Sequence, residues 1–105
     1  MDLTFLRNLM NGDERLVSNF VRIFREQAPK QVEEIQESLA NEDWENFSNL
    51  VHSLKTQFAY MGLTDLSEQM KNMEFEVDNG DKTRLQPLLE HFRKDFQSLS
   101  QKELQ

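Results

Sequence analysis

The sequence predicts an all-α protein, and three features support this. Only three glycines and two prolines occur among 105 residues. Apolar residues recur at the i, i+3, i+4, i+7 spacing of a helix face, and few windows alternate as strands do. Turn-forming residues interrupt the periodicity at a few places, such as Asn79-Gly80. We therefore expect an antiparallel up-down-up-down four-helix bundle with a short extra N-terminal helix, forming a single domain over residues 1–105.

The N-terminal part predicts a short helix followed by a long one. The apolar residues between Leu3 and Met10 end at Asn11-Gly12, which stops a helix. Asp13 is a good N-cap for the long helix. The apolar stripe keeps its phase past Pro29, so we expect a kink there rather than a break. The stripe predicted to be buried consists of Leu16, Val17, Phe20, Phe24, Ala28, Val32, Ile35 and Leu39.

The remaining chain predicts three further helices. Asp43 caps a helix that runs from about Trp44 to Met61, and Thr64 or Asp65 caps the next one. The last helix is expected from about Lys82 to Leu104, with Pro87 tolerated near its start. The apolar stripes are Phe47, Leu50, Val51, Leu54, Phe58 and Met61, then Leu66, Met70, Met73 and Val77, then Leu85, Leu88, Leu89, Phe92, Phe96 and Leu99.

Composition excludes several classes of function. The net charge of −7 argues against a nucleic-acid partner, which requires a basic face. The chain has no cysteine, which rules out a thiolate metal site and fits a cytoplasmic protein. No apolar run approaches the ~20 residues of a membrane span, so we expect no membrane association. An acidic bundle that holds a metal is disfavoured because no inward Glu-x-x-His pair exists, so we expect neither metal nor cofactor. We also expect a monomer, since the chain is an acidic single domain with a complete bundle.

His52 is the candidate functional residue. Helix geometry places it roughly 150° from the centre of the apolar stripe, facing solvent. Ser48, Thr56 and Ala59 lie around it on this face, and Lys55 lies one turn away. A neutral imidazole is a nucleophile, and a neighbouring ammonium can neutralise a phosphoryl group placed on the ring. For an isolated His-x-x-Lys, the usual interpretation is a solvated surface histidine.

The run Val51-His52-Ser53-Leu54-Lys55, with Gly62 ten residues after the histidine, resembles the signature of histidine-containing phosphotransfer (HPt) domains of bacterial-type phosphorelays. The likeness continues in Asp43 before the helix and in Leu66, Met70 and Met73 after it, and it covers nearly the whole chain.

This resemblance implies that His52 accepts a phosphoryl group on Nε2 and that Lys55 lies beside the phosphoryl oxygens. The implied function is a histidine phosphotransfer protein that carries the group between receiver-domain aspartates. The implied partners are response-regulator receiver domains and a hybrid histidine kinase, with Mg²⁺ supplied by the receiver. The sequence has no glycine-rich phosphate loop, so we expect no autokinase activity and a role as an intermediate more than as an enzyme.

Glu74 is a further candidate, because it follows His52 by 22 residues. The return of a helical hairpin centred near Gly62 and Leu63 brings it level with the histidine. By resemblance, Glu74 accepts the Nδ1 hydrogen and leaves Nε2 unprotonated. A plain surface glutamate is the alternative.

The resemblance also implies a docking face for partners. In the family the first helix borders the histidine, so Phe5 and Leu9 are expected to join Ser48, Thr56 and Ala59 in this face. Thr56 occupies a position where the family usually has glycine, which affects docking affinity or partner choice. It is also the one feature that favours the alternative function, a phosphorylation-independent helical adaptor that docks a receiver or kinase. The second histidine, His91, is assigned no role.

Overall fold

The computed structural model describes residues 1–103, which form five α-helices and one short 3-10 turn. The helices are α1 (Thr4–Leu9), α2 (Glu14–Ala40), α3 (Trp44–Tyr60), α4 (Thr64–Asn79) and α5 (Leu85–Glu103), and the 3-10 turn Lys82–Arg84 precedes α5. The prediction of an all-helical fold is confirmed. The predicted helix end at Leu104 lies outside the described residues. None of the helices in residues 1–103 combines the length and apolar character that a bilayer span requires.

Two of the predicted helix caps are present. The Asp13 carboxylate accepts hydrogen bonds from the backbone N–H groups of Arg15 and Leu16, at 3.0 and 3.3 Å. The Asp43 carboxylate accepts one from the N–H of Asn46, at 3.2 Å. Each bond satisfies a donor that the first helical turn leaves without an intrahelical partner. The sequence thus determines where α2 and α3 begin.

The predicted cap of α4 is wrong. Thr64 is already helical, and Leu63 occupies the cap position without a side-chain hydrogen bond. The reason lies in the turn from α3, where the N–H of Leu63 donates to the carbonyl of Phe58 at 2.9 Å. This bond closes the end of α3 and leaves Leu63 as the only residue between the turn and the next helix.

The core is built from the apolar stripes of the helices. Phe58 of α3 is fully buried, and its ring contacts Phe24 of α2 and Phe92 and Phe96 of α5, with centroids 5.8 to 6.1 Å apart. α2 stays unbroken through Pro29, as the phase of its stripe predicts. One aromatic side chain therefore connects three helices in the centre of the protein.

The first turns of the chain are incompletely covered. Leu16 belongs to the stripe predicted to be buried, yet it is 49% exposed. Phe5 and Leu9, which the sequence analysis expects at the surface, are 55% and 52% exposed. Helix α1 has six residues and buries only Leu6 among them, so it offers little surface under which these side chains can be buried.

The contacts between α3 and α4 determine which residues of the two helices lie side by side. Near one end of the pair, the Ser48 hydroxyl donates to Asp78 Oδ1 at 3.3 Å. Two turns further along α3, the Ser67 hydroxyl of α4 donates to the carbonyl of Lys55 at 2.9 Å. Residue numbers therefore rise along α3 and fall along α4. This register places the middle of α4 beside His52.

Gly62 forms the turn between these two helices with a left-handed backbone, at φ +69°. A Cβ atom at this position would overlap the backbone carbonyl of Asp2. Gly12 has the same type of conformation, at φ +74°, but a Cβ there would meet no atom within 4 Å. A comparison of the two glycines therefore separates the effect of a left-handed backbone from the effect of close contact with Asp2.

We predict that Gly62→Ala destabilises the protein more than Gly12→Ala does. Both substitutions place a side chain in a left-handed conformation, which costs about 1–2 kcal/mol. Only Gly62→Ala also displaces the segment around Asp2, which adds roughly 1–3 kcal/mol by analogy with overpacking. Urea unfolding of the two variants measures the difference, and equal losses would contradict the role given to the Asp2 contact.

Candidate functional site

The site is centred on His52, halfway along α3. Val51 and Leu54 on the same helix are fully buried, and they fix the rotation of the helix about its axis. The side chain of His52 is 66% exposed, as its position opposite the apolar stripe predicts. The core packing of α3 therefore presents this imidazole to solvent.

Glu74 of α4 contacts both His52 and Lys55. Its Oε2 atom lies 2.8 Å from Nδ1 of His52, and its Oε1 atom lies 2.7 Å from Nζ of Lys55. An ionised carboxylate only accepts hydrogen bonds, so Nδ1 carries the hydrogen in this contact. The other ring nitrogen, Nε2, has no hydrogen-bond partner among the described residues. The three residues that the sequence singled out for the chemistry are thus brought together.

The electrostatics of Glu74 follow from these contacts. Burial raises the pKa of Glu74, since its side chain is only 20% exposed. The hydrogen bonds and charges of Lys55 and His52 together lower the pKa by more than burial raises it. The resulting pKa lies below the ordinary value of 4.5, so the carboxylate is ionised at neutral pH. The charge of Lys55 is therefore already paired in the unphosphorylated protein, which the sequence did not indicate.

The residues predicted for docking differ in their solvent exposure. Ala59 is exposed, while Ser48 and Thr56 are half-buried. The Thr56 hydroxyl lies 3.4 Å from the backbone carbonyl of His52 and donates to it, so it is turned back along α3. Phe5 and Leu9 of α1 leave about half of their surface open to solvent.

Tyr60 belongs to this surface and was missed by the sequence argument. Its ring stacks on Phe5 at a centroid distance of 5.8 Å and meets Phe20 edge-on at 5.9 Å. The signal was available, since Tyr60 follows Thr56 by four residues and His52 by eight, along one side of the helix. Through Tyr60, the exposed Phe5 of α1 and the partly buried Phe20 of α2 become continuous with the histidine-bearing helix.

The histidine-bearing segment is almost free of charge. Among residues 46–63, only Lys55 is charged at neutral pH, although 30% of the chain consists of charged residues. Lys55 itself is paired with Glu74. Depletion of charged residues combined with aromatic side chains is typical of the centre of a protein interface.

His91 on α5 provides a comparison. Its side chain is 68% exposed, and Lys94 follows it by three residues, the same spacing as between His52 and Lys55. Its Nε2 atom lies 3.4 Å from the exposed Asp95, one turn along the same helix. Spacing and exposure alone therefore do not distinguish the two histidines.

The fold and this site are those of a helical protein suited to carry a chemical group on a histidine. The family model for the Hpt domain matches residues 19–102, and the chain belongs to this family. Hpt domains take part in histidine phosphotransfer in phosphorelays and interact with receiver domains and kinases. The searches of curated proteins and of solved structures found no match.

We predict that Glu74→Gln destabilises the protein by about 1–2 kcal/mol at pH 7, because Lys55 and His52 lose a charged acceptor. The pKa of Glu74 is lower in the folded than in the unfolded protein, so its contribution to stability is fully present above pH 4.5. The contribution is lost as the pH falls through the folded pKa.

The difference in unfolding free energy between the wild type and Glu74→Gln should therefore shrink below about pH 4.5. Denaturant unfolding at several pH values measures it. Glu68→Gln, at an exposed position of the same helix, is the control and should show little difference at any pH. A pH-independent effect of Glu74→Gln would contradict the ion pairs described above.

Proposed function

We propose that this protein carries a phosphoryl group on His52 in a cytoplasmic phosphorelay. The group arrives from the aspartyl phosphate of one receiver domain and leaves to the aspartate of another. The observation that carries this proposal is the orientation of the imidazole. Glu74 accepts the hydrogen of Nδ1, which in a neutral imidazole leaves Nε2 with a free lone pair, and the His52 side chain is 66% exposed.

The chemistry needs little beyond a positioned nucleophile. The Nε2 lone pair attacks phosphorus, an N–P bond forms, and the P–O bond to the receiver aspartate breaks, returning a free carboxylate. The hydrogen on Nδ1 is retained, so the phosphorylated ring gains positive charge. The Glu74 carboxylate, 2.8 Å from Nδ1, stabilises this charge. The reverse sequence of bonds delivers the group to the second receiver.

Lys55 supplies part of the charge neutralisation in this scheme. Its ammonium group is paired with Glu74 and is 28% exposed, one helical turn from His52. A phosphoryl group brings roughly −1.5 to −2 charges, which makes it a strong competitor for the lysine. We assign Mg²⁺ and the remaining neutralisation to the receiver domain, and we propose that this protein holds no cofactor of its own.

The proposed docking face surrounds the histidine. It consists of Ser48, Thr56 and Ala59 on α3, with Phe5 and Leu9 on α1. Tyr60 connects the two groups through its contact with Phe5. A receiver that covers these side chains would exclude water from the reacting atoms.

For the whole chain, we propose a single monomeric domain in which the four long helices form an antiparallel bundle. Side-chain hydrogen bonds between neighbouring helices support this topology, because in each pair the residue numbers rise on one helix as they fall on the other. Between α2 and α3, Gln31 bonds with Gln57 and Ser38 bonds with Asn46. Between α4 and α5, Gln69 bonds with Asp95. Nearer the end of α4, Glu76 forms an ion pair with Arg84 in the 3-10 turn that precedes α5.

We predict that incubation with a phosphorylated receiver domain places a phosphoryl group on His52, giving an adduct that is labile in acid and stable in base. Mass spectrometry of the intact and digested protein detects it. His52→Gln should abolish the adduct. His91→Gln is the matched control and should retain it, since His91 has the same exposure and the same lysine spacing.

The same experiment separates the phosphocarrier from the adaptor function. A receiver that binds the wild type and His52→Gln equally, without transferring phosphate to either, would support the adaptor. In that case Thr56→Gly is the variant to examine next, because it restores the residue that the family usually has at this position.

We predict that Phe5→Ala raises the Kd for a receiver domain about fivefold or more, as expected for an exposed aromatic side chain that becomes buried in an interface. The control is Phe75→Ala on α4, which removes an equally exposed ring, 60% against 55%. Titration calorimetry or surface plasmon resonance measures both. Equal effects would contradict the proposed location of the docking face.

A further inference from the structure

Lys55 is attached to α4 through both its side chain and its backbone. Its ammonium group lies 2.7 Å from Glu74 Oε1, and its backbone carbonyl accepts a hydrogen bond from the Ser67 hydroxyl at 2.9 Å. Both bonds are partly buried. We propose that Ser67 is a positioning residue for phosphotransfer, because its bond to the backbone of Lys55 sets where Glu74 meets His52. This inference rests on the proposed function and adds to it a residue that does not touch the reacting atoms.

Helix geometry explains why the two attachments of Lys55 fall at different levels of α4. The carbonyl groups of a helix point toward its C-terminus, whereas each Cα–Cβ bond is tilted toward its N-terminus. The carbonyl of Lys55 is therefore directed toward the Gly62 turn, where Ser67 lies in the first turn of α4. The side chain of Lys55 leaves in the other direction, toward Glu74. Ser67 and Glu74 are seven residues apart, which is about two helical turns and places them on one face of α4.

The Ser67 bond restricts the two helices more narrowly than apolar packing does. Met70 and Met73, which lie between Ser67 and Glu74, are fully buried, but methionine side chains are flexible and adapt to gaps. A hydrogen bond weakens steeply once its distance or angle departs from the preferred geometry. The turn and the core thus define the register, and the Ser67 bond restrains the remaining freedom of α4 to slide along α3.

The other serines of α3 and α4 have partners of a different kind. Ser48 donates to the side chain of Asp78 at 3.3 Å, in an exposed contact. Ser53 is exposed, and its hydroxyl accepts a hydrogen bond from Gln57 on the same helix at 3.0 Å. Of these three serines, Ser67 is the one whose hydroxyl bonds to the backbone of the neighbouring helix. Its bond therefore positions the main chain on which Lys55 and His52 are carried.

The consequence for the reaction follows from the shared carboxylate of Glu74. If α4 shifts along α3, the 2.8 Å contact between Glu74 and Nδ1 of His52 lengthens, and the ring loses its preference for the tautomer with the lone pair on Nε2. Attack on phosphorus needs that lone pair in place, and small misplacements reduce rates strongly. Loss of the Ser67 bond should therefore slow transfer and leave docking unchanged, since Ser67 lies outside the proposed docking face.

The tautomer of His52 in the unphosphorylated protein provides the first test. We expect Ser67→Ala to raise the ratio of the Nε2–H to the Nδ1–H tautomer about threefold, as partial loss of one hydrogen bond implies. NMR chemical shifts of the two ring nitrogens, at a pH at which the ring is neutral, measure this ratio. Ser53→Ala is the matched control and should leave it unchanged. In a Glu74→Ala background, Ser67→Ala should have no further effect, because the serine acts through Glu74.

Single-turnover transfer from a phosphorylated receiver domain provides the second test. We expect Ser67→Ala to lower the transfer rate at saturating receiver about threefold or more, with the Kd for the receiver unchanged. Ser53→Ala should change neither quantity. A rise in Kd without a change in the transfer rate would assign Ser67 to docking and overturn its positioning role.

The tautomer measurement also separates this inference from the proposed function. An unchanged ratio in Ser67→Ala would contradict the positioning role, and so would an equal rise in Ser53→Ala. A rise that persists in full in the Glu74→Ala background would show that the serine does not act through Glu74. Absence of transfer to the wild type would contradict the phosphocarrier function, while the ratio would still decide whether Ser67 positions Glu74.

Discussion

The shared carboxylate of Glu74 is the interaction on which the rest of the site depends. It holds the hydrogen on one nitrogen of His52 and pairs with Lys55 through its second oxygen. This geometry requires α3 and α4 to keep one register, because one extra residue would turn a helix by about 100° and shift it by 1.5 Å. The tight turn at Gly62 and the fully buried Met70 and Met73 fix that register.

Much of this arrangement could be predicted from the sequence, because periodicity determines which side of a helix faces the core. Periodicity predicted that His52 faces outward, and the return of the helical hairpin around Gly62 predicted that Glu74 lies level with it. Periodicity does not determine whether a neighbouring helix covers a given position, which is why Leu16 is exposed although it belongs to the stripe predicted to be buried. Nor does it determine side-chain conformation, so the pairing of Lys55 with Glu74 appeared only in the structure.

The two histidines illustrate how a motif gains meaning from its surroundings. His52 and His91 have nearly equal exposure, and each precedes a lysine by three residues. The partner of His91 is Asp95 on its own helix, exposed and 3.4 Å away. The partner of His52 comes from another helix, is mostly buried and lies at 2.8 Å. A mostly buried carboxylate at 2.8 Å orients an imidazole more firmly than a half-exposed one at 3.4 Å, whose oxygen also accepts a hydrogen bond from Gln69.

The scarcity of charge in residues 46–63 has a kinetic consequence. Complementary charges steer partners together and can raise association rates from 10⁵–10⁶ to about 10⁸–10⁹ M⁻¹s⁻¹ at low salt. This segment therefore contributes little long-range attraction of its own, and the field that a partner meets comes from the net charge of −7 of the whole protein, which salt screens. Partner selection is then decided after collision, by the fit of apolar and small polar side chains. A complex formed in this way also separates readily once its short-range contacts are broken, which suits repeated exchange between successive partners.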